Sequence, residues 1–173
     1  GFTVPHWDWE EDVLADYSRL VAEVCPDVVV VMIGANEFEG HVLEGEALEP
    51  GSERWAEVLA ERAGEAMVQW RAAGTPVYWW TTPRMRDPHF LTDDLNAIWG
   101  ATITAWSDGT TLLDSMAVLG DASGAYRDQM MDEDGHLVDL RKAKGVHFHE
   151  VGADLLARQL EEKLVADGWL SDG

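Results

Sequence analysis

The sequence predicts an α/β protein, a three-layer αβα sandwich built around a parallel sheet. Three observations carry that prediction. Short apolar runs of strand length alternate along the chain with amphipathic stretches of helix length. The first such run, Asp27 to Ile33, is β-branched and apolar almost throughout, as a parallel strand covered on both faces should be. No internal repeat, low-complexity segment or linker interrupts the 173 residues, so residues 1–173 read as one domain.

The first element is a helix from about Trp9 to Val24. Asp8 stands at its cap, Glu11 in the capping-box position, and Pro26 forces its end. Val13, Leu14, Tyr17, Leu20, Val21 and Val24 form one apolar stripe at helical spacing. After the Asp27–Ile33 strand a polar, glycine-rich loop extends through Gly51. A second helix starts at Ser52, its cap, and runs to about Ala73, where Gly74 ends it and Thr75-Pro76 leads into a second strand, Val77 to Thr82. Beyond Pro83 and Pro88, Thr92 or Asp93 starts a third helix reaching about Trp106, followed by a short strand at Thr110 to Asp114. Gln129-Met-Met131 and Leu137 to Leu140, joined by Asp132-Glu-Asp-Gly135, read as a small hairpin. The last helix runs from Val151 to Ala166 with Val151, Leu155, Leu156, Leu160 and Leu164 as its buried stripe and Gly168 as its stop. Val28 to Ile33 thus reads as a central strand with only two further parallel strands after it. The sheet is expected to lack its first strand, and the domain to be N-terminally incomplete, in keeping with a start at Gly1 rather than a methionine.

Composition narrows the function classes. The hydrophobic fraction of 46% and charged fraction of 26% are those of an ordinary globular protein, and no apolar run approaches the roughly 20 residues that span a bilayer. The formal net charge is −21, from 33 acidic and 12 basic residues. A field of that sign repels phosphate backbones and anionic lipid surfaces, which argues against nucleic acid as a partner and against membrane insertion. Cys25 is the single cysteine, so no intrachain disulfide forms; before Pro26 and at the end of an apolar stretch it is expected to be a buried structural thiol.

Ligands of open parallel sheets bind at the carboxyl ends of the strands. The first such end is Ile33-Gly-Ala-Asn-Glu37. Gly34 permits a sharp turn there, and the Asn36 amide can be aimed at a developing negative charge, although Gly-Ala-Asn after a strand is also ordinary turn chemistry. The second candidate is Gly145-Val-His-Phe-His149, directly before the last helix, where His147 can act as a general base for a nucleophile within hydrogen-bond reach. His147 and His149 point the same way on an extended chain, so a metal pair is an alternative, but no third ligand has recognisable spacing and neither metal nor cofactor is expected. Arg84 and Arg86 follow the second strand on the same edge and are candidates for contact with an anionic substrate group, with pairing to the abundant carboxylates as the competing account. Of nine tryptophans, Trp55, Trp70, Trp99 and Trp106 fall on helices and Trp79 and Trp80 on a strand; core packing is the default, a sugar-stacking platform the alternative.

Taken together, the Gly-Ala-Asn-Glu37 block and the later Gly145-Val-His-Phe-x-x-x-Gly-Ala-Asp-Leu-Leu-Ala157 resemble the SGNH/GDSL hydrolase superfamily. Trp55 in the second helix, Pro83 after the second strand and Leu95-Asn96 in the third helix agree with it, and the likeness runs from about Trp7 to Leu164. The resemblance is nearest to SGNH domains of bacterial envelope acyltransferases. It implies a flavodoxin-like SGNH fold, a serine nucleophile near the family's N-terminus, Asn36 and a glycine amide in the oxyanion hole, and His147 as the base. It also implies a small-molecule or glycan ester as substrate, a cell-envelope location, and fusion to a membrane segment upstream as one arrangement.

Two departures bear on activity. The family's opening strand and Gly-Asp-Ser block are absent, and Ser18, Ser52, Ser107, Ser115, Ser123 and Ser171 stand in no nucleophile-like context. The Asp-x-x-His position reads Lys144-Gly-Val-His147, which puts a cation where imidazolium needs an anion. Loss of the equivalent acid in a serine-protease triad costs about 10⁴ in rate. Asp139 and Glu150 are the nearest acids in sequence that could take its place. The leading expectation is therefore an SGNH-type ester hydrolase or O-acyltransferase whose serine lies outside these residues, so that this chain by itself lacks serine-dependent hydrolysis. A catalytically degenerate SGNH domain serving as a glycan-binding or scaffolding module is the alternative.

Overall fold

A computed structural model describes residues 1–106 and 108–171; Ser107, one of the serines considered above, lies outside the described residues. The structure is mixed α/β, with a three-stranded parallel sheet flanked by helices, as the αβα sandwich class requires. No helix among the described residues is long and apolar enough to cross a membrane. The chain divides into two compact units, Gly1–Thr82 with Leu91–Leu112, and Pro83–Phe90 with Leu113–Gly173.

The first unit begins with a departure from the expected single helix. Trp9–Leu14 forms a π-helical turn that passes into α1, Ala15–Val24. Asp8 caps it as expected, its side chain accepting from Glu11 N at 2.7 Å. In return Asp8 N donates to Asp12 Oδ2 at 2.9 Å rather than to Glu11. The reason is the wider turn: Val13 N donates to Asp8 O, five residues back, and carries Asp12 into the place a capping-box residue holds in a tighter helix. The α1 stripe is only half-covered, with Tyr17 and Val21 packed on the core and Leu20 and Val24 exposed. Cys25 corrects the expected buried thiol. It ends α1 in the left-handed region (φ 49°) and is exposed, its Sγ donating to Ala22 O at 3.3 Å, because the reversal before Pro26 turns the side chain outward.

β1 (Val29–Val31) pairs in parallel with β4 (Val77–Trp80), Val29 opposite Val77 and Val31 opposite Trp79, and β5 (Thr110–Leu113, its last residue in the second unit) completes the order β1-β4-β5. Among the described residues β4 is central and β1 is paired on one side only, as expected of a strand whose neighbour is missing from the sheet. All four β4 residues are buried, whereas Val30 and Met32 are 45% and 39% exposed, which marks β1 as an edge strand among the described residues. The expected loop to Gly51 contains a further hairpin, β2 (Val42–Leu43) against β3 (Glu46–Ala47), closed by Glu44 and Gly45 at φ 53° and 85°.

α2 (Glu53–Trp70) is capped by Ser52, whose side chain accepts from Trp55 N. It buries Trp55, Val58, Leu59, Ala63, Ala66, Met67 and Trp70 at helical spacing. α3 (Thr92–Ala105) adds Leu95, Trp99 and Ile103 to the same core. Phe2 sits at the centre of an aromatic cluster, its ring 5.4–6.4 Å from those of Trp9, Trp70, Trp79 and Trp99. Trp79 and Trp80, on opposite faces of β4, are both buried.

The second unit contains α4 (Ser115–Leu119), a short helix capped by Asp114 and too brief for a periodic signal, the expected hairpin β6 (Gln129–Met131) and β7 (Leu137–Asp139), and α5 (Glu150–Ala166). Met130 opposes Val138 in the hairpin. Leu156 and Leu164 are the buried residues of the α5 stripe, while Val151, expected to belong to it, is exposed at the helix start. Gly152 lets α5 approach the chain before it: a Cβ there would collide with Leu140 O and lie 3.3 Å from Leu140 C.

Candidate functional site

The Asn36 block is built entirely within the first unit. The chain leaves β1 through Ile33-Gly34 and turns in a single 3₁₀ turn, Ala35–Phe38, with Glu37 N donating to Gly34 O at 3.0 Å. Gly34 has φ −171° and ψ −83°, and close approach of a neighbouring side chain requires its small size. A Cβ at Gly34 would overlap Thr82 Cγ2 and sit 3.2 Å from Thr82 Oγ1. Thr82 just beyond β4 is buried and donates its hydroxyl to Ile33 O at 2.6 Å, tying the carboxyl ends of both strands together. Asn96 from α3 brackets the same residue, accepting from Thr82 N at 2.7 Å and donating to Thr82 O at 2.9 Å.

Glu37 fixes the turn from the other side. It is 1% exposed, and its carboxylate accepts from Phe2 N (2.7 Å), Thr3 N (3.0 Å) and the Thr3 hydroxyl (2.7 Å). Its carbonyl accepts from Trp55 Nε1 at 2.8 Å, and a His41 ring nitrogen lies 3.0 Å from Asn36 O. Asn36 itself is exposed, and its side chain makes no hydrogen bond among the described residues. The arrangement is an amide donor on a turn held by a buried carboxylate, open at the sheet edge where α/β folds bind ligands. Glu37 closes the Gly-Ala-Asn-Glu block, but only its burial reveals its role, and His41 carried no periodicity or motif signal.

The His147 block lies within the second unit. Residues 140–142 run antiparallel to 147–149: Arg141 bridges Phe148, Lys142 N donates to His147 O at 2.8 Å, and His149 N donates to Leu140 O at 2.9 Å. His147 is exposed, and its ring has no hydrogen-bond partner among the described residues. Lys144 is exposed three residues before it. Of the two acids expected to stand in, Asp139 accepts from Gln129 Nε2 at 2.7 Å and Glu150 is exposed in the first turn of α5; neither is bonded to His147. His149 starts α5 and, with Val138, Lys142 and Phe148, lines a shallow cavity of about 530 Å³.

Both loop arginines have protein partners, and Arg86 remains exposed. Arg84 Nη1 donates to Gly124 O at 2.9 Å, while Arg86 donates to Ala143 O and pairs with Asp128. Tyr126 donates to the same Asp128 oxygen at 2.5 Å. The hydrogen bond from Arg86, then that from Tyr126, holds the Asp128 carboxyl below its ordinary range. Burial, then the bond to Asp128, pushes the Tyr126 hydroxyl up, so it stays a donor through neutral pH. The described group of three side chains that could hold a metal is Asp132, Asp134 and His136 at the β6–β7 turn, not the His147–His149 pair. Asp132 Oδ1 there already accepts from Asp134 N and His136 N, at 3.0 and 2.7 Å. Ser52 is committed to capping α2, Ser123 donates to Asp121, and Ser115 is fully buried.

A family model described as a protein of unknown function, DUF459, matches residues 2–163, which takes in both blocks. No curated protein matches the chain.

Proposed function

The chain belongs to the DUF459 family, and from that membership and the two blocks we propose that it supplies the oxyanion donor and the general base of an SGNH-type ester hydrolase or O-acyltransferase. The family is associated with SGNH/GDSL-like hydrolases. The observation that carries the reading is Asn36: an exposed amide without a protein partner among the described residues, on a turn pinned by the buried Glu37 at the end of a parallel strand. In this reading the nucleophile is a serine outside these residues. Its Oγ attacks the carbonyl carbon of an acyl ester of a glycan or lipid while His147 takes the Oγ proton, and Asn36 donates to the oxygen that becomes negative. Collapse expels the alcohol, protonated by His147, and leaves an acyl-enzyme. Water or an acceptor hydroxyl then takes the acyl group by the same steps in reverse.

Hydrolysis of p-nitrophenyl acetate and of an O-acetylated oligosaccharide by the full protein tests this. Asn36→Ala is expected to lower kcat by about 10²–10³, the scale of one lost oxyanion donor, and His147→Ala by at least about 10⁴. Equal rates for wild type and both variants would remove the reading. The exposed Lys144 at the position of the expected acid favours a second one, a glycan-binding module without turnover. That reading requires saturable quenching of tryptophan fluorescence by acylated oligosaccharide, no ester hydrolysis, and no activity gained by Lys144→Asp.

A further inference from the structure

We propose that Asp128 and Tyr126 are positioning residues for His147, bracing its loop in place of the acid that Lys144 displaces; the role given to His147 rests on the esterase reading, the brace does not. The loop from Arg141 to His149 is closed at its base by backbone bonds, and Gly145 N donates to Lys142 O at 2.7 Å near its tip. Asp128 reaches both parts. Its carbonyl accepts from Leu140 N at 2.8 Å and Arg141 N at 3.3 Å, where the loop begins. Its carboxylate holds Arg86, which in turn donates to Ala143 O at the tip.

Tyr126 completes the brace. Its hydroxyl, bonded to Asp128, occupies the space a side chain at position 145 would need: a Cβ on Gly145 would fall 2.5 Å from Tyr126 Oη and 2.6 Å from Arg86 Cβ. Gly145 is buried at φ +72°, so sterics and conformation both exclude other residues there. Beneath the ring lies Arg141, 4% exposed, its guanidinium 5.6 Å from the Tyr126 ring centre and 4.8 Å from that of Phe148, with one nitrogen on Arg84 O. Its Nη1 has no hydrogen-bond partner among the described residues, and the two ring faces supply the compensating negative potential. One anion, two arginines and a tyrosine therefore fix the backbone from 140 to 148 without touching the imidazole. A family acid would orient the His147 ring directly; this network orients it through the main chain.

The test pairs Asp128→Asn with the milder Tyr126→Phe in the full protein. Amide hydrogen exchange at Lys142 and Gly145 is expected to rise at least tenfold in both, while Leu156 in α5 keeps its protection. kcat for ester hydrolysis is expected to fall at least tenfold with KM within twofold, and Asp128→Glu to recover most of it. Unchanged exchange in the loop, or an equal rise throughout α5, overturns the brace. Loosening of the loop with kcat unchanged overturns the positioning role and leaves the esterase reading standing. Loosening in a protein whose wild type hydrolyses no ester removes the esterase reading and leaves the brace.

Discussion

Gly34→Ala isolates why the Asn36 turn has its shape. The alanine methyl would overlap Thr82 Cγ2, on a buried side chain whose hydroxyl is bonded to Ile33 O and accepts from Trp99 Nε1 at 3.3 Å. Neither partner can move without losing one of these bonds, so the cost is that of overpacking, about 1–3 kcal/mol. Thr82→Ser alone removes the offending methyl and keeps the hydroxyl; deleting one buried methyl costs roughly 0.5–1.5 kcal/mol. In the double variant the new methyl fills the space of the old one. The double variant should therefore be more stable than the sum of the singles by about 1.5–4.5 kcal/mol. Urea unfolding followed by tryptophan fluorescence measures the cycle, since Trp79 and Trp99 lie in the same core. Additivity to within about 0.5 kcal/mol would refute the close-approach argument, because sites without steric coupling add to that precision.

Two further outcomes follow from other parts of the structure. Glu37→Gln keeps the shape but sets an amide NH₂ against backbone donors in a buried site; with three bonds to the charged group affected, a loss of about 2–4 kcal/mol is expected in the same unfolding assay. A loss below about 0.5 kcal/mol would mean that the carboxylate does not hold the turn. Acid should loosen the His147 loop selectively. Asp128 is held below its ordinary value of 3.8 by Arg86 and Tyr126, with Arg141 adding a smaller attraction. Its contribution is thus complete above that value and disappears as pH falls through the lower folded-state value. Exchange at Gly145, corrected for intrinsic rate, should rise on going from pH 5 to below pH 3 in wild type and stay level in Asp128→Asn; parallel profiles would count against it.

The alternation of Asp27–Ile33, Val77–Thr82 and the intervening amphipathic stretch made the parallel sheet and its flanking helices legible, and Ser52 and Asp8 announced their caps correctly. The unpaired side of Asp27–Ile33 was legible as well, since only two further parallel strands follow this valine run; that β4 holds the centre among the described residues shows only in the pairing. The π-turn at Trp9–Leu14 was hidden because one inserted residue leaves an apolar stripe nearly intact over a single turn. At the candidate site, Asn36, Glu37 and His147 were visible through their blocks, whereas Thr82 and Asp128 act through long-range bonds from distant segments. Such residues have no spacing to betray them. The turn chemistry of Gly34 is legible in the sequence, whereas its close approach to the methyl of a threonine 48 positions away is not.

The aromatic cluster has a spectroscopic consequence. Trp79 lies 5.0 Å from Trp99 and 5.8 Å from Trp70, all three inside the core of the first unit and each held at a fixed tilt. Indoles clamped this closely in a chiral frame give strong near-ultraviolet circular dichroism, which vanishes when side-chain packing melts even if helices persist. The second unit, bounded by Pro83–Phe90 and Leu113–Gly173, has Trp169 alone, and that residue is 45% exposed. The near-ultraviolet band therefore reports the Asn36 half of the molecule and is nearly silent on the His147 half, so that melting curves read in that band and at the peptide wavelengths would separate if the two halves lose order at different temperatures.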